Sequence, residues 1–163
     1  MKDDITESPV PYMERTRNYY RALGYDQDYV WAHHVEAPFT VPTKPVREST
    51  VALITTAGPP DRSNRDAGNR KHVWSGEAAA PPASFDTDVA WDRESTHTDD
   101  RETFLPIDAM NRLVADGTLK ALAPRFHHAP TDYSQRKTTE DDAPELLRRL
   151  REDQVDAALL VAL

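Results

Sequence analysis

The sequence contains no cysteine among its 163 residues. Disulfides, thiolate metal sites and cysteine nucleophiles are therefore excluded within these residues. No stretch approaches the roughly 18 apolar residues that a membrane span requires. The opening MKDDITESPV has neither the basic region nor the apolar region of a signal peptide. These absences predict a cytoplasmic protein that has no membrane partner.

The sequence also has fewer basic than acidic residues, 20 Lys and Arg against 28 Asp and Glu, which gives a formal net charge of −8. A nucleic-acid surface needs clustered Lys and Arg, whereas the arginines here are interleaved with acids. Glycine is scarce as well. The loop TTAGPPDRSNRDAG (55–68) contains neither the dinucleotide-binding pattern nor the P-loop pattern. The sequence therefore predicts no nucleic-acid partner and no cofactor-binding residues.

The chain is predicted to have two parts. Residues 1–45 are expected to form an N-terminal helix, ending near Gly24, and an extended proline-rich arm. A stripe of tyrosines on this helix is interpreted as core packing. Residues 46–163 are expected to form one α/β domain.

The fold class of the second part follows from alternating apolar strands and amphipathic helices. TVALITTAG (50–58), TLKALAPRF (118–126) and VDAALLVAL (155–163) are typical of buried strands. Helices are predicted near Ile107–Ala115 and Ala143–Glu152, the second packing through its leucines. This alternation predicts a Rossmann-like layered α/β fold, a parallel sheet with flanking helices, that is incomplete at its C-terminus.

Two regions between these elements are predicted from composition. The stretch 59–84 is polar and is expected to be a long, mobile loop. FDTDVAWDR (85–93) alternates apolar and polar residues and is predicted to be a further strand.

The candidate site residues are His97, Arg125 and His127. His97 lies in the acidic segment DRESTHTDD (92–100), and the other two lie in RFHHAPTDYSQ (125–135). Because both segments are placed after predicted parallel strands, they are expected to meet at one edge of the sheet. Histidine with carboxylates can relay protons or bind a metal, although a solvated acidic loop with an incidental His97 remains the alternative. No metal site is predicted.

Several stretches together resemble one family. They are YYRALGY, TKPVRESTVALITTAG, FLPIDAMNRLVADGTLKALAPRFHHAPTD and DAPELLRRLREDQVDAALLVAL. In order and spacing they resemble the selenoprotein B (component B) subunits of glycine, sarcosine and betaine reductases, and the related small subunit of D-proline reductase. The resemblance extends from about Tyr12 to Leu163.

In that family, the strand that resembles VDAALLVAL leads directly into a redox Sec/Cys-x-x-Cys motif. The present sequence stops just before it. The resemblance thus implies a truncated chain whose complete form carries a redox-active selenocysteine or cysteine. A UGA codon after Leu163, read as a stop, is the simplest explanation, and the apolar strand is expected to be left without its cover.

The resemblance also implies a function. A complete protein of this type is expected to be an oxidoreductase that cleaves a C–N bond reductively, with a dithiol as electron donor. Its expected partners are a small amine-bearing or carboxylate substrate and a thiol-reductant protein or partner subunit.

Roles for the candidate residues follow from that function. His97 and His127 are expected to lie within a substrate's width of each other and of Leu163, where they would deliver a proton to the leaving amine. Together with Arg125 they would orient a substrate carboxylate. The alternatives are a non-catalytic binding or scaffold protein of the same fold and, more weakly, a metal-assisted hydrolase that uses the two histidines.

Overall fold

The structure is a computed structural model that describes residues 11–38, 40–87, 97–132 and 134–163. Its internal contacts separate two units, Met1–Ala37 and Pro38–Leu163. The boundary that the sequence places between residues 45 and 46 stays a prediction.

The first unit contains helix α1 (Tyr12–Ala22), which confirms the predicted N-terminal helix. The helix ends before Gly24, whose positive φ of 87° suits glycine at this position. The interpretation of its tyrosines as core residues is wrong, because no residue of α1 is buried. Aromatic rings of this unit instead contact each other edge to face, as Tyr20 and Tyr25 do at 5.5 Å between ring centroids.

The second unit is an α/β fold, as predicted. In chain order its elements are β1 (Thr50–Thr55), β2 (Trp74–Glu77), α2 (Ile107–Ala115), β3 (Ala121–Leu122), β4 (Arg125–His128), α3 (Gln135–Lys137), α4 (Ala143–Glu152) and β5 (Ala157–Val161). Strand β1 lies at the centre of a five-stranded sheet, with β5 parallel to it on one side and β3 and β4 parallel on the other. Strand β2 pairs antiparallel with β4, so the sheet is mixed rather than wholly parallel.

Strands β3 and β4 are two parts of one interrupted neighbour of β1. Thr50 pairs with Ala121, and Ile54 pairs with His127. Between these two pairs, the neighbouring segment therefore contains two residues more than β1. Pro124 lies in the interruption, where its missing N–H removes no ladder hydrogen bond. The predicted strand 118–126 is therefore divided, and its second half extends beyond the predicted end.

The core lies on one face of the sheet. Leu53 of β1 and Phe126 of β4 are buried there with Phe104 and Phe85, which belong to the segment before α2 and to the loop after β2. The Phe85 and Phe104 rings meet edge to face at 5.4 Å between centroids. Helix α2 covers this face through Ile107 and Met110, which confirms the predicted helix.

The stretch 59–84 is more ordered than its composition indicated. It contains strand β2 and buries Asn64 and Val73. Its polar residues make a local turn, in which the Asp66 carboxylate accepts hydrogen bonds from the backbone N–H groups of Gly68 and Arg70. Side-chain-to-backbone bonding thus supplies order that hydropathy does not reveal.

The strand predicted at 85–93 lies mostly outside the described residues. Within the described part, Asp86 forms an isolated antiparallel bridge with Gly58.

The sheet is less well covered near β5. Helix α4 forms where it was predicted, yet Leu147 on it is 46% exposed. Leu159 and Leu160 of β5 are 45% and 60% exposed, although neighbouring strand residues point to opposite faces. Described residues therefore cover neither face of β5 fully. No helix in the described ranges is long and apolar enough to span a membrane.

A close approach at Gly76 gives a test of this packing. A Cβ there would lie 2.5 Å from Cζ of Phe126 and 2.6 Å from Cη2 of Trp74, both atoms of ring side chains. We expect Gly76→Ala to lower the free energy of unfolding by about 1–3 kcal/mol, because an overpacked core must shift. Urea denaturation measures the loss.

Gly68→Ala is the matched control. The nearest atom to its Cβ would be a side-chain oxygen of Asp66 at 3.2 Å, in an exposed turn, so a smaller loss is expected. Equal losses in the two variants would contradict the packing described for β2 on β4.

Candidate functional site

The carboxyl ends of three parallel strands, β1, β4 and β5, meet at one edge of the sheet. Past the end of β1, Thr56 Oγ1 accepts a hydrogen bond of 2.9 Å from the backbone N–H of Leu163, which lies beyond β5. Past the end of β4, the backbone N–H of Ala129 donates to the Thr55 carbonyl at 2.9 Å. The ends of all three strands are thus tied together, at the place where open α/β sheets bind ligands.

His128 is the last residue of β4 and is buried at this edge. Its Nδ1 lies 2.9 Å from the Ala57 carbonyl and its Nε2 lies 3.0 Å from Asn64 Nδ2. A carbonyl only accepts and an amide NH2 only donates, so these contacts specify a neutral ring with its proton on Nδ1. His128 therefore joins the loop after β1 to β4 and leaves neither ring nitrogen for chemistry.

The loop that follows β1 folds back over this edge. Arg62 has a φ of 59°, which is uncommon for a residue other than glycine. Together with Thr56, Gly58 and His128, it lines a small cavity of about 10 Å³. That volume is close to the room one water-sized group needs.

A network of lysines and aspartates fixes the loop after β4. Asp132 lies 3.6 Å from Lys71 Nζ and 3.1 Å from Lys137 Nζ. Lys137 also contacts buried Asp142 at 2.9 Å, because the π-helical turn Thr138–Asp142 brings residues five apart together. Burial acts to lower the pKa of Lys137, but hydrogen bonds to the two carboxylates outweigh it and raise that pKa.

Arg125 lies inside the sheet, although the segment 125–135 was expected to follow its strand. It is the first residue of β4, and its Nε and Nη2 each lie 2.9 Å from a carboxylate oxygen of Asp153, between α4 and β5. Asp153 precedes β5, at the amino edge of the sheet. The ion pair of Arg125 with Asp153 therefore lies towards the edge opposite to the one where Thr56 meets Leu163.

His127 also lies within β4, fully buried on the face that α4 covers. Its Nδ1 is 2.8 Å from Ser75 Oγ, which in turn accepts a hydrogen bond of 2.8 Å from Arg149 Nη1. Its Nε2 is 3.9 Å from Asp153 and has no hydrogen-bond partner among the described residues. The structure thus brings Arg125 and His127 together, both beside Asp153.

Burial lowers the pKa of His127 to about 4, and the nearby charge of Arg125 acts in the same direction. The negative charge of Asp153 offsets part of this effect, while Arg149 adds to the lowering. His127 is therefore neutral at pH 7, and its burial weighs against the proton-donating role. That role stays a prediction.

His97 is exposed, and its described contacts are within its own loop. Nδ1 lies 3.4 Å from the Asp99 backbone nitrogen and 3.7 Å from the Asp99 carboxylate. The predicted closeness of His97, His127 and Leu163 stays a prediction. In the described parts of the chain, no three His, Cys, Asp or Glu side chains are grouped so that they could hold a metal ion.

The sequence did not reveal the contribution of Ser75, Arg149 and Asp153. Ser75 and Arg149 are 74 positions apart and meet only because β2 pairs with β4 while α4 crosses the same face. The positions of Arg62 and Thr56 weakly indicate a functional role, since both residues follow the first strand of an α/β sheet.

The chain is 34% identical over 129 residues to the D-proline reductase subunit gamma of Acetoanaerobium sticklandii, an alignment that covers 76% of this chain and 52% of that protein. The chain thus spans about half the length of this relative. No family model matches, and no solved structure matches. The identity supports a relation to the reductase family of that protein.

The state of His127 leads to a prediction about pH. A histidine whose pKa falls from 6.5 to about 4 on folding binds its proton more readily in the unfolded chain. The contribution of the neutral His127 ring to the free energy of unfolding is therefore complete above pH 6.5 and is lost as the pH falls towards 4. Between pH 7.5 and pH 5 we expect it to account for about 2 kcal/mol of lost unfolding free energy.

His127→Gln removes this titration, so the variant should lose less stability than the wild type over that interval. Urea denaturation at the two pH values measures the difference. The exposed His97, changed to Gln, is the control and should keep the wild-type slope. An unchanged slope in His127→Gln would show that the buried ring is not the titrating group.

Proposed function

We propose that the chain is part of a selenol- or thiol-dependent reductase subunit of the D-proline, glycine, sarcosine and betaine reductase type. The observation that carries this proposal is the 34% identity over 129 residues to the subunit gamma of D-proline reductase. Its complete form would cleave a C–N bond reductively and take its electrons from a dithiol. The substrate would be a small molecule with an amine and a carboxylate, and the protein would act with a partner subunit or a thiol-reductant protein.

The reactive residue would follow Leu163. A selenolate or thiolate there would attack the carbon that carries nitrogen; the C–N bond breaks and the amine leaves with a proton. A second thiol would then release the carbon with a new C–H bond, and the resulting Se–S or S–S bond would be reduced by the dithiol. What the described residues contribute is position, because Thr56 fixes Leu163 at the carboxyl edge.

The exposure of β5 supports the proposal that the protein has a further segment. Leu159 and Leu160 are 45% and 60% exposed, and β5 pairs with β1 on one side within the described sheet. A relative nearly twice as long as the aligned region leaves room for such a segment. We propose that residues beyond Leu163 continue the fold and cover this strand.

The second candidate is a non-catalytic binding or scaffold protein of the same fold. The observation that favours it is the absence of cysteine from all 163 residues. A metal-assisted hydrolase has less support, because His127 is buried in a network with Ser75 and no metal-binding group is found in the described ranges. Elemental analysis of purified protein without stoichiometric metal would remove it.

Activity of the complete protein tests the proposal. The codon after Leu163 would be read as Cys, the downstream frame restored, and the protein produced with the partner subunit encoded beside it. With dithiothreitol as electron donor, D-proline should yield a primary amine as its ring opens, while glycine, sarcosine and betaine should yield ammonia, methylamine and trimethylamine. Serine at the new Cys position is the control and should abolish the reaction.

A UAA or UAG codon after Leu163 with no family-like frame behind it would contradict this function. So would the lack of amine release from all four substrates.

Stability gives a separate prediction. We expect the form that ends at Leu163 to melt at a lower temperature than the restored form and to associate more readily. Covering a Leu or Val side chain contributes roughly 1.5–3 kcal/mol, against about 5–15 kcal/mol for a whole domain. Calorimetry and size-exclusion chromatography compare the two forms. Equal melting temperatures and two monomers would show that β5 needs no cover.

A further inference from the structure

We infer that Arg62 binds the carboxylate of the substrate at the carboxyl edge of the sheet, an inference that rests on the proposed function. It assigns to Arg62 the orienting role that the sequence gave to Arg125. Three observations carry it: the backbone of Arg62, the availability of its side chain to a ligand, and the connection from its cavity to Leu163.

The backbone of Arg62 is held in a conformation that costs energy. Its φ of 59° lies in the left-handed region, where glycine or asparagine would be less strained. The turn is closed by hydrogen bonds from the Arg62 N–H to the Pro59 carbonyl at 3.2 Å and from the Arg65 N–H to the Arg62 carbonyl at 3.0 Å. Strain of this kind persists where the surrounding structure imposes it and is concentrated at functional sites.

Two guanidinium groups are among the described residues that line the cavity beside Arg62, those of Arg62 and Arg65, in a protein of formal net charge −8. Asp86 and His128 line it as well. The Ala57 carbonyl and the Asn64 amide fix the His128 ring. A volume of about 10 Å³ accommodates one oxygen atom of an anion.

Arg62 is also available to a ligand. Its side chain is 60% exposed, and its described ion pair with Asp86 is long, at 4.0 Å. A guanidinium held so loosely can turn towards a substrate carboxylate and form two parallel hydrogen bonds with it. Arg125, in contrast, holds Asp153 through two nitrogen atoms at the opposite edge of the sheet.

The connection to Leu163 places this cation near the proposed chemistry. Thr56 lines the same cavity as Arg62, and its Oγ1 accepts the hydrogen bond from the Leu163 N–H. In an α-amino acid such as proline, one carbon carries both the nitrogen and the carboxylate. A nucleophile that follows Leu163 and attacks that carbon therefore needs a carboxylate-binding group close to Thr56.

Substrate kinetics of the restored full-length protein with its partner subunit test the inference. We expect Arg62→Gln to raise the KM for D-proline by about 10- to 100-fold, as the loss of a charged hydrogen bond implies. Arg62→Lys should recover part of the affinity. With D-prolinamide, which has no carboxylate, the wild type and Arg62→Gln should show equal KM values.

Arg70→Gln is the matched control. Arg70 belongs to the same loop but pairs with Asp66 at 2.8 Å and has a side chain that is 82% exposed. The KM of the Arg70→Gln variant for D-proline should equal that of the wild type. Equal KM increases in Arg62→Gln and Arg70→Gln would overturn the assignment, as would an Arg62→Gln effect that persists with D-prolinamide.

Calorimetric titration with cyclopentanecarboxylate separates this inference from the proposed function. It offers the same ring and carboxylate without the nitrogen, so it can bind but cannot react. Binding that Arg62→Gln abolishes in a protein that releases no amine would overturn the proposed function and retain the site. An active enzyme in which Arg62→Gln leaves both this binding and the KM unchanged would overturn the site and retain the function.

Arg62→Gly provides a readout that a structural arginine would not give. Glycine relieves the left-handed backbone, so the melting temperature should rise, by about 2–4 °C for a domain of this size, while affinity for the carboxylate falls. A lower melting temperature would indicate that Arg62 serves the fold, and would overturn the inference.

Discussion

The parallel pairing of β1 with both β4 and β5 is the constraint on which the rest of this structure depends. Ile54 and Thr55 each have partners on both sides, which closes the centre of the sheet and buries it. Because the three strands run in the same direction, their carboxyl ends reach the same edge. Thr56, His128 and Leu163 are neighbours for that reason, although more than a hundred residues separate the first from the last.

The two edges of the sheet use their polar groups differently. At the amino edge, Arg125 and Asp153 pair closely, and the neutral ring of His127 fits beside them under α4, so the charges satisfy each other. At the carboxyl edge, Arg62 is strained and weakly paired. A group whose partners are complete stabilises the fold, whereas a group with unused donors and an unfavourable backbone is better suited to a ligand.

The sequence predicts the elements whose formation is local. The apolar run of β1 and the leucine spacing of α4 identify both before any tertiary contact is known. It could not predict that Asn64 and Val73 are buried within a polar stretch, because their partners lie in distant strands. Arg125 was misplaced for a similar reason, since Pro124 interrupts a strand that then resumes.

The interruption at Pro124 has a consequence for how the gene can change length. Alternate strand residues face opposite sides, and because the interruption adds two residues, Leu122 and Phe126 both remain on the core side. Loss of a single codon there would leave one extra residue, which only a β-bulge can accommodate without turning Phe126 outward. Loss of two codons would leave no extra residue and would keep Phe126 on the core side. Related sequences should therefore differ at this point by two residues more often than by one.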